Sequence, residues 1–163
     1  MSLLLNPLIA CIAAGNSCVL KPSEVSVSTS GLLARLIPGY LDPEAVCVVE
    51  GAVPESTALL GHQWDLIFYT GSTAVGRIVH AAAAKHLTPV VLELGGKCPA
   101  IIDDRVDLST AVKRIIWGKF SLNMGQTCVC PDYVLCSRTM HSRVVQAMKQ
   151  TLVDFYTESP KCT

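Results

Sequence analysis

A cysteine in a glycine-containing turn is the residue of this chain best suited to covalent chemistry. Cys128 follows Gly125, Gln126 and Thr127 and precedes the strand-like residues 133–136. A cysteine thiolate can attack a carbonyl carbon, provided that a base or a positive environment removes the thiol proton. Most cysteines are small buried hydrophobes instead. The turn alone therefore marks Cys128 as a candidate nucleophile, with a structural cysteine as the alternative.

A carboxylate at the end of an apolar segment is a candidate general base. Glu93 lies within the otherwise apolar residues 90–94, which Gly95 and Gly96 follow. At this place we expect the carboxylate to be partly desolvated, which suits a base that works near neutral pH. The alternative is an edge glutamate that points to water. The two glycines would let the backbone approach a ligand closely.

Two further segments could bind a ligand. Gly71 and Ser72 follow a strand-like segment and open a helix-like one, where the free N–H groups and the helix dipole favour a pyrophosphate. A Gly-Ser pair before a helix is more often only a cap. Lys21 and Glu24 flank a proline directly after another strand-like segment. Alone, they are equally consistent with a solvated loop pair.

Taken in order, these motifs resemble those of the aldehyde dehydrogenase superfamily. The residues after Cys128, Pro131-Asp132-Tyr133, are most similar to its class 3 branch, including plant members, and the resemblance covers essentially the whole chain. The matching motifs are Lys21-Pro22-Ser23-Glu24, Phe68-Tyr69-Thr70-Gly71-Ser72-Thr73-Ala74-Val75-Gly76, Leu92-Glu93-Leu94-Gly95-Gly96-Lys97 and Gly125-Gln126-Thr127-Cys128.

The resemblance implies oxidation of aldehydes to carboxylic acids. Cys128 matches the family's nucleophile, which forms a thiohemiacetal that expels hydride to a nicotinamide. Cys130 is a competing thiol, but only Cys128 directly follows the Gly-Gln-Thr sequence. Glu93 matches the family's base, which activates the water that hydrolyses the thioester or deprotonates the thiol.

The resemblance also implies a nicotinamide cofactor. Gly71, Ser72 and Val75 match positions that contact the pyrophosphate and the adenine side, and we include Gly76 and Gly95 in the predicted cofactor site. Lys21 and Glu24 match residues that hydrogen-bond the adenosine ribose. A carboxylate there would favour NAD by repelling a 2′-phosphate, while the lysine partly offsets it. We therefore expect NAD or NADP.

The alternation of apolar strands with helices predicts an α/β fold. We expect a parallel, doubly wound, Rossmann-like sheet with part of a second α/β catalytic domain. The resemblance places a partial NAD(P)-binding domain at residues 1–92 and a partial catalytic domain at residues 93–163. The first helix is predicted to have Asn6 as N-cap, Pro7 at its first helical position and Gly15 as C-cap. The second, residues 25–37, is predicted to stop at Pro38-Gly39.

Composition excludes several classes of function. The 163 residues hold 13 basic and 13 acidic residues, without charge runs, so nothing favours nucleic acid or an anionic membrane. The apolar runs are too short to span a bilayer. The 8 cysteines have no zinc spacing, and we expect no metal. We expect Cys11, Cys18, Cys47 and Cys136 to be buried hydrophobes, in a reducing, cytoplasmic compartment.

The chain also departs from the family pattern. Relatives carry an upstream Trp-Asn-Tyr/Phe-Pro segment, whose Asn donates to the oxyanion, and a downstream Glu-x-Phe-Gly-Pro segment that holds the nicotinamide ribose. Neither is present. We therefore expect a fragment of a longer enzyme whose full-length relatives are homodimers that act on small aldehydes. The alternative is a non-catalytic module that binds nucleotide weakly or associates with full-length relatives.

Overall fold

Helices and strands alternate along the chain. The computed structural model describes residues 1–157. Its helices are α1 (Ser2–Ala13), α2 (Val27–Tyr40), α3 (Val53–Leu60), α4 (Thr73–Ala84), α5 (Leu108–Phe120) and α6 (Arg138–Tyr156). Its strands are β1 (Cys18–Leu20), β2 (Val46–Val48), β3 (Ile67–Gly71), β4 (Val90–Leu94), β5 (Cys98–Ile102) and β6 (Pro131–Cys136). The predicted α/β class is confirmed.

The strands pair in three two-stranded sheets within the described residues. β1 runs parallel to β2, with Cys18 opposite Val46. β5 runs parallel to β6, with Ile102 opposite Cys136 and an irregularity between Cys98 and Pro99. β3 pairs with β4. Within each parallel pair, a helix connects the two strands: α2 lies between β1 and β2, and α5 between β5 and β6. Parallel neighbours need a crossover connection of this kind.

The chain divides into two compact units, Met1–Glu93 and the residues from Leu94 onward. Each unit has its own apolar core. The first core consists of Leu8, Leu20, Leu33, Ile37 and Val46, and the second of Ile102, Val112, Ile116, Met140 and Val144. Burying one such side chain stabilises the fold by about 1.5–3 kcal/mol. The assignment of residues 1–92 and 93–163 to nucleotide-binding and catalytic roles stays a prediction.

The first helix begins earlier than predicted. Met1, not Asn6, is the N-cap, and the N–H groups of Leu4 and Leu5 each lie 3.1 Å from the Met1 carbonyl oxygen. Pro7 stands inside the helix, because a proline near a helix start removes only one intrahelical hydrogen bond. Gly15, with φ 77°, follows the cap residue Ala14. Among the described residues, no helix has both the length and the apolar character needed to cross a membrane.

The second helix also differs at both ends. A 3₁₀ turn, Glu24–Ser26, precedes it, and the Ser23 hydroxyl accepts a hydrogen bond from the N–H of Val25. α2 then continues through Pro38 to Tyr40, so the predicted stop at Pro38-Gly39 is wrong. Pro38 lies in the last turn, where one lost hydrogen bond does not end the helix.

The prediction that four cysteines are buried is wrong. Cys11, Cys18 and Cys136 are half-buried, and Cys47 is exposed. Cys47 lies between Val46, which faces the core, and Val48, so strand alternation turns it to the other face of β2. Among the cysteines of residues 1–157, Cys130 is the buried one, at 6% exposure.

Candidate active site

Cys128 lies in the connection between α5 and β6, in the second unit. Its side chain is half-buried. The connection folds back on itself: the Thr127 hydroxyl donates to the carbonyl of Leu122 at 3.4 Å, and the N–H of Cys130 donates to the carbonyl of Thr127 at 3.0 Å. The cysteine is therefore held on a short, internally bonded turn and keeps access to solvent.

A left-handed turn shapes the start of this connection. Asn123 and Met124 have φ angles of 50° and 52°, and Gly125 has a φ of 80°. The Asn123 side chain donates to the carbonyl of Gln126 at 3.0 Å, which supports its unusual backbone. A Cβ atom on Gly125 would lie 2.7 Å from the carbonyl oxygen of Lys119. Both its φ and the close approach of α5 therefore require glycine at position 125.

The glycine pair after β4 lies beside the Cys128 turn. A Cβ on Gly96 would be 3.6 Å from the carbonyl oxygen of Cys128. The Cys98 thiol donates to that same carbonyl at 3.0 Å. Gly95 has open space where a side chain would be, with no atom within 4 Å of a Cβ. The structure thus brings the predicted residue Gly95 and the Cys128 turn into one region of the second unit.

Cys130 differs from Cys128 in its surroundings. Its side chain is 6% exposed, and its thiol lies 3.3 Å from the carbonyl oxygen of Pro131, to which it donates. A Cβ on Gly125 would approach its sulfur to 3.3 Å. A thiol enclosed in this way has little access to a substrate, which favours Cys128 as the reacting group.

Asp132 belongs to the class 3-like Pro131-Asp132-Tyr133 sequence, for which no role in the site was predicted. Its carboxylate forms an ion pair with Lys97, directly after the glycine pair, and lies 3.6 Å from Lys119 at the end of α5. The Lys97 hydrogen bond is the main cause that lowers the pKa of Asp132. The carboxylate connects three segments that flank Cys128. Lys97 and Asp132 come together because β5 and β6 pair in parallel, with Cys98 opposite Pro131. The sequence does not show this register.

Glu93 is the penultimate residue of β4, and its side chain is exposed. The expectation of partial desolvation is therefore wrong for this chain. β4 alternates between half-buried and exposed residues, and Glu93 shares its face with Val91, which is 37% exposed. Glu93 closes the first unit and Cys128 belongs to the second. Its role as a base stays a prediction.

The predicted pyrophosphate loop connects β3 to α4. Gly71 ends the strand, and Ser72 is the helix N-cap, whose hydroxyl accepts from the N–H of Val75 at 3.2 Å. A Cβ on Gly71 would overlap the Tyr69 side chain. Gly76, the residue after Val75, is buried in the first turns of α4. The first-turn N–H groups lack intrahelical partners by the geometry of any α-helix, so an anion can bind there.

Lys21 and Glu24 meet as predicted, and the lysine does more than pair with the carboxylate. The Lys21 ammonium donates to the carbonyls of Pro22 and Gly51, at 2.8 and 2.7 Å, and to Glu24 at 3.4 Å. An ammonium has three donors, so all are engaged. The Glu24 backbone N–H first, and then Lys21, lower the pKa of the exposed Glu24 carboxyl. Lys21 thereby ties the segment after β1 to the segment after β2.

Other site chemistry is sparse in the part of the chain described. No cluster of three His, Cys, Asp or Glu side chains suited to a metal ion occurs among residues 1–157. A shallow groove along α6 contains none of the predicted site residues. Its lining includes Leu108, Arg143, Ala147 and Val153. The candidate chemistry therefore rests on the loops at strand ends, as in other α/β folds.

Comparison with known sequences decides the family. The sequence model of the aldehyde dehydrogenase family matches residues 1–161. The chain belongs to the aldehyde dehydrogenase family. The match includes the loops of Lys21, Gly71, Gly95 and Cys128, so every predicted site segment of this aldehyde dehydrogenase chain lies within it.

Similar curated proteins are of class 3 type and come from both mammals and plants. The dimeric NADP-preferring aldehyde dehydrogenase of Rattus norvegicus is 55% identical over 98% of this chain and 35% of its own length. An aldehyde dehydrogenase of Craterostigma plantagineum is 56% identical over 97% of this chain and 33% of its own. Aldehyde dehydrogenase family 3 member H1 of Arabidopsis thaliana is 54% identical. The chain spans about a third of the length of these relatives.

Solved structures of the family have the same fold. The substrate-bound AldH of Staphylococcus aureus has a TM-score of 0.90 and 41% identity, over 96% of this chain and 34% of that chain. A mutant of AldC from Pseudomonas syringae, in complex with NAD⁺ and octanal, has a TM-score of 0.79 and 36% identity over 86% of this chain and 29% of its own. The α/β fold of this aldehyde dehydrogenase segment is therefore that of the family.

Proposed function

We propose that this chain carries the nucleophile, the general base and part of the cofactor site of an NAD(P)-dependent aldehyde dehydrogenase. The observation that carries the proposal is the position of Cys128: half-buried, on a glycine-dependent turn, beside the Gly95-Gly96 segment. The family membership of the chain supports the same reaction. The proposed substrates are small-molecule aldehydes.

In the proposed reaction, Cys128 attacks the aldehyde carbonyl carbon as a thiolate. The resulting thiohemiacetal collapses with transfer of hydride to the nicotinamide, which leaves a thioester on the sulfur. Water then attacks the thioester, the acid leaves, and the thiol is regenerated. The short turn supports this role because its internal hydrogen bonds hold the sulfur-bearing residue in place while solvent still reaches it.

Glu93 is proposed as the base that takes the proton of the attacking water. Its carboxylate is exposed at the end of β4, where water and substrate can reach it. Gly95 and Gly96, directly after β4, give the backbone the room to approach a planar nicotinamide ring. The general-base role is supported by these placements and by the matching family motif alone.

The cofactor would bind with its adenosine half on the first unit. The first turn of α4 offers N–H groups for the pyrophosphate, near Gly71 and Ser72. Glu24 is exposed and can accept from ribose hydroxyls, while Lys21 must release its longest contact, the 3.4 Å one to Glu24, to join it. The rat relative is NADP-preferring and the Pseudomonas AldC complex contains NAD⁺. NAD or NADP is the proposed cofactor.

A chimaera tests the proposal. The chain replaces its counterpart in the rat dimeric relative, and NAD(P)H formation from a medium-chain aldehyde is followed. We expect turnover that Cys128→Ala abolishes, because no covalent intermediate forms without the thiol. Cys130→Ala is the matched control and should retain most of the activity. Loss of turnover in Cys130→Ala together with full activity in Cys128→Ala would exchange the two assignments.

A second candidate function is a non-catalytic nucleotide-binding module. The observation that favours it is that the first unit has its own apolar core and contains the Ser72-capped start of α4. Its first unit would bind ADP-ribose in the high micromolar to millimolar range, on the order of −4 to −6 kcal/mol. Calorimetric titration of the chain with ADP-ribose tests this, with Ser72→Ala as the weakened variant. A folded chain with no saturable signal would remove the binding module.

Association and location follow from the relatives only as proposals. The rat relative is named as dimeric, so a complete enzyme of this type is proposed to form homodimers. A cytoplasmic location is also proposed, because the 7 cysteines of the described residues are free thiols and free thiols persist in reducing compartments.

A further inference from the structure

Two thiols from different elements lie near each other in the first unit, at the opposite end of β1 from Lys21. Cys11 lies near the end of α1, and Cys18 begins β1. The Cys11 sulfur is 3.8 Å from the carbonyl oxygen of Asn16 and 3.7 Å from that of Ser17, the residue next to Cys18. The thiol of α1 therefore lies over the start of β1.

Cys11 is a near neighbour of Cys18, because its sulfur lies 3.7 Å from the carbonyl oxygen of Ser17, which directly precedes Cys18. Burial is the main cause that raises the pKa of Cys18 to about 11, and the neighbouring Cys11 and Cys47 raise it further. Both Cys11 and Cys18 are half-buried, so small reagents in solvent reach the pair.

Cys47 is close but lies on the other side of the sheet. In the parallel register, Cys18 is opposite Val46, and Val19 is opposite Cys47. Partners in register share a face and neighbours along a strand alternate, so Cys18 and Cys47 point to opposite faces. Cys18 packs against the core that contains Leu8, the face that α1 covers. Cys11 is therefore the thiol on the same face as Cys18.

We propose that Cys11 and Cys18 form a dithiol site that low-molecular-weight disulfides, of the glutathione type, oxidise to an intramolecular disulfide. The Cys11 sulfur already lies 3.7 Å from the carbonyl oxygen before Cys18, and Cys18 packs on the face that α1 covers, so a movement of α1 can close the S–S bond, about 2 Å long. The disulfide links the end of α1 to the start of β1. The site is independent of Cys128 and of the proposed dehydrogenase reaction.

The chemistry balances with one disulfide as oxidant. One thiolate, after losing its proton to solvent, attacks the small disulfide, forms a mixed disulfide and releases one small thiol. The second thiolate of the pair attacks the protein sulfur of that mixed disulfide and releases the second small thiol. In all, the protein loses two protons and two electrons, and the small disulfide gains them as it becomes two thiols. Because the raised pKa of Cys18 limits its thiolate, closure should accelerate as the pH rises.

The test is redox titration of the whole chain against reduced and oxidised glutathione, followed by alkylation, trypsin digestion and mass spectrometry. Trypsin does not cleave the Lys21–Pro22 bond, so Cys11 and Cys18 remain in one peptide that ends at Arg35, and Cys47 lies in the next. We compare the two peptides at ratios of oxidised to reduced glutathione at which Cys47 is still alkylated. At these ratios, we expect the peptide with Cys11 and Cys18 to carry no alkyl group and to be lighter by two hydrogen atoms. The same titration in urea gives the unfolded reference, which should close at least about tenfold less favourably.

Variants make the result decisive. Cys47→Ser should leave closure unchanged, whereas Cys11→Ser and Cys18→Ser should each stop at the mixed disulfide with glutathione. Circular dichroism checks that each variant is folded. If Cys18→Ser unfolds, Cys11→Ser, at the helix surface, still tests whether the bridge needs both thiols. Closure no more favourable in the native chain than in urea would overturn the proposal. So would a bridge to Cys47 that forms first.

Discussion

At the scale of single residues, the two cysteines that flank Val129 have opposite environments. Cys128 is half-buried on its turn, and Cys130 is enclosed between Gly125 and Pro131. Their motif positions are only two residues apart, so their difference in access is the physical basis for assigning one of them as the nucleophile. Cys47, which is exposed in the first unit, provides an internal standard for an ordinary accessible thiol.

Limiting iodoacetamide near neutral pH should alkylate Cys128 well before Cys130. If Cys128 is activated, it should also react at least as fast as the more exposed Cys47, because reactivity follows the thiolate as well as access. Peptide mapping by mass spectrometry gives the order, with circular dichroism as the check on folding. Alkylation of Cys130 before Cys128 would count against the assignment.

The raised pKa of Cys18 predicts a pH dependence of stability. The unfolded thiol titrates near 9.0 and the folded one at about 11, so in this window the folded chain holds more protons and its stability falls as the pH rises. Because Cys18 is partly exposed and solvent screens it, we expect the loss in the free energy of unfolding across this window to be about 1 kcal/mol. Urea unfolding of the reduced chain at several pH values measures the slope. Cys18→Ala should flatten it and Cys47→Ala should not; an equal slope in all three proteins would contradict the prediction.

At the scale of elements, the connection from α5 to β6 depends on its left-handed residues. Three consecutive residues, Asn123 to Gly125, have positive φ angles, and only the last is a glycine. Asp132 then pairs with Lys97 and Lys119 on either side of the turn. A helix end, a glycine pair and a strand start are thus connected around Cys128.

Gly125→Ala should destabilise the chain by about 2–3 kcal/mol, the sum of a left-handed alanine and a displaced backbone. The new Cβ would lie 2.7 Å from the Lys119 carbonyl oxygen, which belongs to a helix backbone and yields little. Gly95→Ala in the same unit is the control, since its Cβ meets no atom within 4 Å, and should change stability by no more than about 0.5 kcal/mol. Chemical denaturation measures both. A Gly125→Ala chain as stable as the control would show that the turn can relax.

Sequence patterns predicted which elements exist better than where they begin. Ser72 as a helix N-cap and the parallel α/β pairing followed from local chemistry. The start of α1 did not, because its first turn is set by backbone bonds to Met1 and not by a capping side chain. Pro38 did not end α2, because it lies in the last turn, where its missing N–H removes one hydrogen bond.

The candidate site was predictable as a set of motifs but not in its contacts. The Lys21 motif names a lysine and a glutamate, whereas the contact with Gly51 bridges residues 30 apart in sequence. Asp132 and Cys98 join the site through the register of β5 and β6. The exposure of Glu93 depends on which face of β4 the fold covers, and an apolar run with one carboxylate does not specify that face.

At the scale of the whole molecule, the chain holds two compact units and about a third of the length of its relatives. Glu93, the proposed base, belongs to the first unit, and Cys128, the proposed nucleophile, belongs to the second. In the proposed reaction, the thiol of Cys128 forms the acyl intermediate and the carboxylate of Glu93 governs its hydrolysis.

Intact mass spectrometry of the Glu93→Gln chimaera, incubated with aldehyde and NAD(P)⁺, separates the roles of the two residues. The variant keeps the shape of the side chain but removes the base, so deacylation should slow by roughly 10² to 10⁴-fold. We expect a protein heavier by one acyl group, which peptide mapping places on Cys128 and which Cys128→Ala lacks. A Glu93→Gln chimaera with unchanged turnover and no acyl adduct would contradict these roles.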